Sequence, residues 1–115
     1  MKKLGESLLK VCRKENPHDC LKIGIELVSN IEKIHKLGLL HCDLKVDNIL
    51  IDKDSSTSIK KNPLHIIDFG MARTYLKADG SHVPNKRQTK IIGSYLFVTK
   101  FQLMYQTSSR RDDMI

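Results

Sequence analysis

Apolar residues recur every three or four positions in the stretch after Pro17, as they do on one face of an α-helix. Asn16 can cap the start of this helix, and Pro17 suits its first turn. Gly38 accepts the left-handed conformation that commonly ends a helix. The pattern therefore predicts an amphipathic helix with one broad buried face. Its apolar residues are Leu21, Ile25, Leu27, Val28, Ile31 and Ile34.

Two short apolar runs, Ile49 to Ile51 and Leu64 to Ile67, predict a pair of strands. The polar stretch between them, from Asp52 to Pro63, is rich in Ser and Lys and predicts a connecting loop. We therefore expect a hairpin. A shorter amphipathic stretch from Gly5 to Lys14 precedes the long helix, and the stretch from Thr74 to Gln106 is irregular. Connections as long as the latter tend to be functional.

The length of 115 residues limits the chain to one modest domain, and 40% hydrophobic residues are enough for a core. There is no run of eighteen apolar residues, so we predict no membrane span. The N-terminus lacks the apolar centre of a signal peptide. The three cysteines follow no metal-ligand spacing. They indicate reduced thiols in a cytoplasmic or nuclear protein.

Positive charge is concentrated between Met71 and Arg111. This segment holds eight bases and one acid, Asp79, and so accounts for the whole formal net charge of +7. A basic block of this kind either binds an acidic or phosphorylated partner or is only a solvated loop, and both readings stay open. Nucleic acid is an unlikely partner, because the few aromatic residues follow no stacking pattern. The bases are Arg73, Lys77, Lys86, Arg87, Lys90, Lys100, Arg110 and Arg111.

Two short motifs carry the candidate chemistry. They are His41-Cys42-Asp43-Leu44-Lys45-Val46-Asp47-Asn48 and, further along the chain, Asp68-Phe69-Gly70. They resemble the catalytic loop and the magnesium-binding loop of protein kinases, H-R-D-L-x-x-x-N and D-F-G. Seven positions agree at kinase spacing, for which chance agreement is on the order of 10⁻⁹ per alignment. The resemblance implies phosphoryl transfer from ATP to a hydroxyl group.

The kinase resemblance also implies a role for each polar residue of the motifs. Asp43 would accept the proton of the substrate hydroxyl, and Lys45 would reach the γ-phosphate of ATP. Asn48 and Asp68 would bind Mg²⁺, because this hard cation prefers oxygen ligands. A lysine at the place of Lys45 is typical of serine/threonine kinases. The implied cofactors are therefore ATP and Mg²⁺.

Three apolar residues beside the motifs have implied roles as well. Phe69 would pack next to His41 and orient Asp68. Leu50 and Ile67 would contact the adenine ring of ATP. Because short apolar strands are usually just core, a purely structural role for Leu50 and Ile67 is an equal alternative.

Further segments resemble casein kinase 1 enzymes from about Leu4 to Asp113. Ser109-Arg110-Arg111-Asp112-Asp113 resembles their S-R-R-D-D, where a central helix begins, and Ile31-Glu32-Lys33-Ile34-His35 resembles their I-E-x-I-H. Leu4-Gly5-Glu6-Ser7-Leu8 resembles their L-G-P-S-L, and His82-Val83-Pro84 resembles their H-I-P. Gly93 falls where their G-T-A-R-Y begins.

This resemblance implies a fold and a partner. The fold would be α+β and mainly helical, a fragment of the kinase C-terminal lobe over residues 1–115. A small β-hairpin would carry the catalytic and D-F-G loops, and Asp113 would be a buried aspartate that braces the catalytic-loop backbone. The partner would be a protein substrate that is acidic around its target Ser or Thr.

Several positions depart from the casein kinase 1 pattern. Cys42 replaces an Arg that commonly pairs with a phosphate on the activation segment, and Val46 replaces a Pro. Leu96 stands where the family keeps an Arg that binds a priming phosphate, and a Leu side chain carries no charge to replace that Arg. The segment Thr99-Lys100-Phe101 differs too, so substrate contacts can have changed.

The parts of a kinase that are not found in this chain are the Gly-rich loop and the strand lysine. We therefore expect an incomplete kinase domain, whose long helix leaves an apolar face exposed. Such a face promotes aggregation, so we expect a chain that is marginally folded and binds ATP weakly. Two functions stay open: a casein kinase 1-like serine/threonine kinase, and a non-catalytic kinase remnant that binds or regulates a partner.

Overall fold

The computed structural model describes residues 5–52 and 63–114. They form two compact units, one from residues 5–30, 45–52 and 63–67, the other from residues 31–44 and 68–114. Most of the predicted polar connection lies outside the described residues. In chain order, the described helices and strands are β1 Glu6–Ser7, α1 Leu8–Cys12, α2 Pro17–Lys36, β2 Leu39–Leu40, β3 Ile49–Ile51, β4 Leu64–Ile66, β5 Arg73–Thr74 and α3 Lys100–Leu103.

Helix α2 begins and ends as the sequence predicts. The side chain of Asn16 accepts a hydrogen bond from the backbone N–H of Asp19 at 3.0 Å, which confirms its capping role. Gly38 follows the helix with φ of 77°, the left-handed conformation expected there. Within residues 5–52 and 63–114, no helix is both long enough and apolar enough to span a membrane.

The first unit is built on a three-stranded antiparallel sheet in the order β1-β3-β4. Strands β3 and β4 pair with Ile49 opposite Ile66 and Ile51 opposite Leu64, so the predicted hairpin pairing is confirmed. Helix α2 is tied to β4 because Glu26 accepts a hydrogen bond from the N–H of Leu64. The buried core of this unit consists of Val11, Ile23, Ile49, Ile51 and Leu64.

The second unit contains a two-stranded antiparallel sheet of β2 and β5. The side chain of Tyr75, directly after β5, is buried, and its hydroxyl donates to the carbonyl of His35 at 2.7 Å. Tyr75 also accepts a hydrogen bond at its carbonyl from the N–H of Val83. The core of this unit consists of Leu40, Cys42, Tyr75 and Ile92.

The irregular stretch before Gln106 contains short elements that the sequence pattern does not predict. Residues Tyr95–Phe97 form a 3₁₀ turn, and α3 follows. Helix α3 begins with a capping box, in which the Thr99 hydroxyl accepts from the N–H of Gln102 and the Gln102 side chain accepts from the N–H of Thr99. A second capping box, Ser109 with Asp112, opens the 3₁₀ turn Arg110–Asp113. This is the segment where a new helix was predicted to begin.

Two fold predictions need correction. The apolar stripe of α2 is not uniformly buried: Leu21, Ile25 and Val28 are exposed, whereas Ile31 is buried. This exposure confirms the expectation that the long helix leaves an apolar face uncovered. Ile23, which lies outside the predicted stripe, is buried instead because it packs in the core of the first unit. The described residues are also not mainly helical, since α2 is the one helix among them longer than five residues.

Candidate active site

The carboxylate of Asp43 is held by Ser94, and both residues lie in the second unit. The backbone N–H and the hydroxyl of Ser94 both donate to Oδ1 of Asp43, at 2.9 and 2.7 Å. Two donors on one oxygen fix the direction of the carboxylate, as a proton-accepting base requires.

The backbone amides of His41 and Cys42 are fixed by Asp113. The buried carboxylate of Asp113 accepts hydrogen bonds from the N–H groups of His41 at 2.8 Å and Cys42 at 2.9 Å. It also lies 3.0 Å from Nε2 of His35. These bonds confirm the bracing role that the resemblance implies for Asp113. They provide acceptors for two buried N–H groups, which would otherwise lower the stability of the fold.

Cys42 occupies an unusual backbone position within this braced loop. Its φ is 65°, a left-handed conformation that is uncommon for a residue other than Gly. Its thiol is buried among Leu40, Tyr75 and Ile92. Burial, reinforced by the carboxylate of Asp113, raises the pKa of Cys42 to about 12. The thiol is therefore a neutral core group and is unsuited to nucleophilic chemistry at neutral pH.

The aromatic ring of Phe69 lies against His41, with ring centroids 4.8 Å apart. This contact confirms the predicted packing of the D-F-G phenylalanine. Asp68 has left-handed dihedral angles, and its side chain accepts a hydrogen bond from the N–H of Gly70 at 3.3 Å. Asp68 thus caps the tight turn Phe69–Met71, which begins at the next residue.

The remaining candidate residues lie in the first unit. Lys45 is half-buried and precedes the 3₁₀ turn Val46–Asn48, and the N–H of Asn48 donates to its carbonyl at 2.9 Å. Asn48 is buried, and its own carbonyl accepts from the N–H of Ile67 at 2.9 Å. Leu50 lies in β3 and, like Ile67, is half-buried. The adenine contacts of Leu50 and Ile67 remain predictions.

The predicted metal ligands, Asn48 and Asp68, offer an amide and a carboxylate oxygen. Hard oxygen donors of this kind suit Mg²⁺. Across the part of the chain that the structure describes, there is no group of three or more His, Cys, Asp or Glu that could hold a metal ion. Asn48 and Asp68 belong to different units, so joint magnesium binding stays a prediction.

The sequence did not predict two residues that line the candidate site. Ser94 and Gln102 lie in the irregular stretch, where no periodicity marks a polar residue as important. The one available signal was the position of Ser94 directly after Gly93, where the compared family begins its G-T-A-R-Y segment. Ser94, Gln102 and Asp43 all line an open cleft of the second unit, which measures about 230 Å³ with the solvent at its mouth included.

Comparison with known proteins agrees with this geometry, since the family described as protein kinase domain matches residues 4–113. The chain belongs to the protein kinase family. This kinase segment is similar to a probable serine/threonine-protein kinase of Dictyostelium discoideum, with 31% identity over 99% of the chain and 23% of that protein. It is also similar to a probable casein kinase I homolog of Encephalitozoon cuniculi, with 33% identity over 80% of the chain and 27% of that protein.

A third relative is casein kinase I homolog 1 of Saccharomyces cerevisiae, with 30% identity over 95% of the chain and 20% of that protein. The predicted resemblance to casein kinase 1 is therefore confirmed. The kinase segment spans between 20% and 27% of the length of these three relatives.

Proposed function

We propose that the protein containing this segment is a casein kinase 1-like serine/threonine kinase. The observation that carries the proposal is the geometry of Asp43. Its carboxylate receives two hydrogen bonds from Ser94, and the two residues before it are braced by Asp113. A general base must be held in a fixed direction to align a nucleophile, and this arrangement does so.

In this proposal six residues in and beside the motifs act on the reacting groups or hold the nucleotide. Asp43 orients the substrate hydroxyl and accepts its proton, and Lys45 offers a positive charge to the transferred phosphate. Asn48 and Asp68 supply oxygen ligands for Mg²⁺, and Leu50 and Ile67 contact the adenine. When bound, ATP supplies the phosphoryl group, and Mg²⁺ neutralises the charge that develops on it.

The proposed substrate is a protein that is acidic around its target Ser or Thr. The described basic side chains between Met71 and Arg111 are mostly exposed and lie in the same unit as Asp43. Exposed positive charge attracts an acidic segment and raises its association rate. Recognition through a priming phosphate is not part of the proposal, because the exposed side chain of Leu96 carries no charge.

The segment itself is proposed to be the central part of a C-terminal kinase lobe, acting in the cytoplasm or nucleus. The hairpin of β3 and β4 and the brace at Asp113 support this placement within a kinase domain. The three cysteines, none of them in a disulfide, agree with a reducing compartment.

The proposal is tested with Asp43→Asn in the full-length protein, assayed with Mg²⁺-ATP and an acidic peptide. We expect kcat to fall by about 10²-fold or more, because the base is lost while the shape of the side chain is kept. The control is Asp47→Asn, which removes an exposed carboxylate of the same loop and should leave kcat unchanged. Equal activity of Asp43→Asn and wild type would remove Asp43 from its role.

The second candidate is a non-catalytic kinase module that binds a partner. The exposed apolar turn Tyr95–Phe97 favours it, because this turn gives a contact surface that needs no phosphoryl transfer. Full-length wild-type protein that binds acidic peptides but transfers no phosphate from Mg²⁺-ATP would decide for this candidate.

A further inference from the structure

Gln102 connects the two ends of one loop in the second unit. Its side chain is buried on α3. The Nε2 group donates to the carbonyl of Ile92 at 3.2 Å, and Oε1 accepts from the N–H of Thr99 at 2.9 Å. Because one rigid carboxamide bonds both residues, the loop from Ile92 to Thr99 is closed at its base.

The closed loop carries the donors that hold Asp43. Ser94 lies two residues after Ile92, and both its N–H and its hydroxyl donate to Asp43 Oδ1. Gly93 lies between them against the Cys42 carbonyl, so the chain has little room to move at this point. A shift of the Ile92 carbonyl therefore displaces the Ser94 donors from the carboxylate.

The link to Ile92 is separate from the role of Gln102 in helix capping. A capping box needs only the Oε1 acceptor for the N–H of Thr99. The Nε2 bond to Ile92 contributes nothing to that cap and reaches ten residues back along the chain. Its effect falls on the loop that carries Ser94.

We propose that Gln102 is a positioning residue for phosphoryl transfer, which acts through Ser94 on the carboxylate of Asp43. The inference rests on the proposed kinase function and adds to it a residue outside both motifs. Gln102 touches neither ATP nor the substrate hydroxyl in this proposal. It fixes the loop from Ile92 to Thr99, in which Ser94 donates the hydrogen bonds that orient the carboxylate of Asp43.

The decisive variant is Gln102→Glu in the full-length protein. A glutamate at this place still caps α3 through its carboxylate oxygen, but it cannot donate to Ile92. We expect kcat to fall by about 10- to 100-fold with the KM for ATP unchanged, because a small misplacement of a catalytic group is costly. Gln106→Glu is the matched control: Gln106 accepts from Arg111, and a glutamate keeps that bond, so kcat should stay at the wild-type value.

A double-mutant cycle shows whether the effect passes through Ser94. Gln102→Glu and Ser94→Ala should each lower kcat, and the double variant should lose much less than the product of the two losses, because both disturb one set of donors. Losses that multiply independently would overturn the proposal, as would an unchanged kcat in Gln102→Glu. A wild-type protein without phosphate transfer would instead overturn the kinase function itself.

Amide hydrogen exchange in the wild-type protein provides a test that needs no variant to fold. If Gln102 closes the loop, the amides of Ser94 and Thr99 become exposed in one opening event and share the same opening free energy. Exchange of the two amides with opening constants that differ by more than about tenfold would contradict a single clamped unit.

Discussion

The carbonyl oxygen of Cys42 lies 2.6 Å from the point that a Cβ atom on Gly93 would occupy. The catalytic loop and the irregular stretch before α3 therefore meet backbone to backbone. Gly93 also has φ of 96°, which an L-residue with a side chain rarely adopts. This contact sets the distance at which Ser94, the next residue, reaches Asp43.

Replacing Gly93 with Ala should therefore destabilise the protein by about 2–4 kcal/mol, through a steric clash added to backbone strain. The matched control is Gly80→Ala: Gly80 also has a positive φ, but no heavy atom lies within 4 Å of its Cβ position. It should cost only about 1–2 kcal/mol of backbone strain. Denaturant unfolding of both variants measures the difference, and equal losses would show that the contact with Cys42 is not limiting.

Replacing Asp113 with Asn should lower the free energy of unfolding by about 2–4 kcal/mol. The reason is that one of the two oxygens that accept from the buried N–H groups of His41 and Cys42 is lost. An amide NH₂ group would also face one of those N–H groups. Asp79→Asn is the control, since Asp79 is an exposed carboxylate that bonds only to Ser81 among the contacts described. A stability of Asp113→Asn equal to that of the control would refute the bracing role.

The buried thiol of Cys42 predicts a loss of stability in alkali. Its pKa is raised from 9.0 to about 12 in the folded protein, so the stabilisation is complete below about pH 9 and is lost as the pH rises towards 12. The loss should amount to about 1.4 kcal/mol for each pH unit in this range. Cys42→Ala removes the titrating group, so its unfolding free energy relative to wild type should rise between about pH 7 and about pH 10. A constant difference between the two proteins at both pH values would contradict the assignment.

The exposed part of the α2 stripe predicts aggregation of the 115-residue chain. Ile25→Glu places a charge on a side chain that is 64% exposed, and should reduce light scattering without changing the helix content. Ile23→Glu is the contrast on the same helix, because Ile23 is buried and its replacement should lower the helix content. If Ile25→Glu unfolded the chain as Ile23→Glu does, this side chain would have to be part of the core.

The sequence predicted where α2 begins and ends, but it did not predict correctly which of its apolar residues are buried. The cap at Asn16 and the stop at Gly38 are local, since each depends on residues within one helical turn. Periodicity gives the width of an apolar face and does not say what packs against it. Leu21, which lies in the predicted stripe, is therefore exposed, whereas Ile23, which lies outside it, is buried.

The chemistry of the candidate site was recognisable because the two kinase motifs are short and have fixed spacing. The pairing of β2 with β5 was not predictable in the same way, since strands of two residues carry no periodic signal. The role of Gln102 was equally hidden, because its partner Ile92 lies ten residues away in an irregular stretch.

By itself, the sequence determined the protein family, the bounds of α2, the hairpin and the residue types available for phosphoryl transfer. Only the tertiary structure decided that Ser94 directs the Asp43 carboxylate, that Gln102 closes the loop carrying Ser94, and which side of α2 is covered. The physical reason is the separation along the chain of the residues that interact. Capping and periodicity act over a few residues, whereas these contacts form only after loop closure has brought separate segments together.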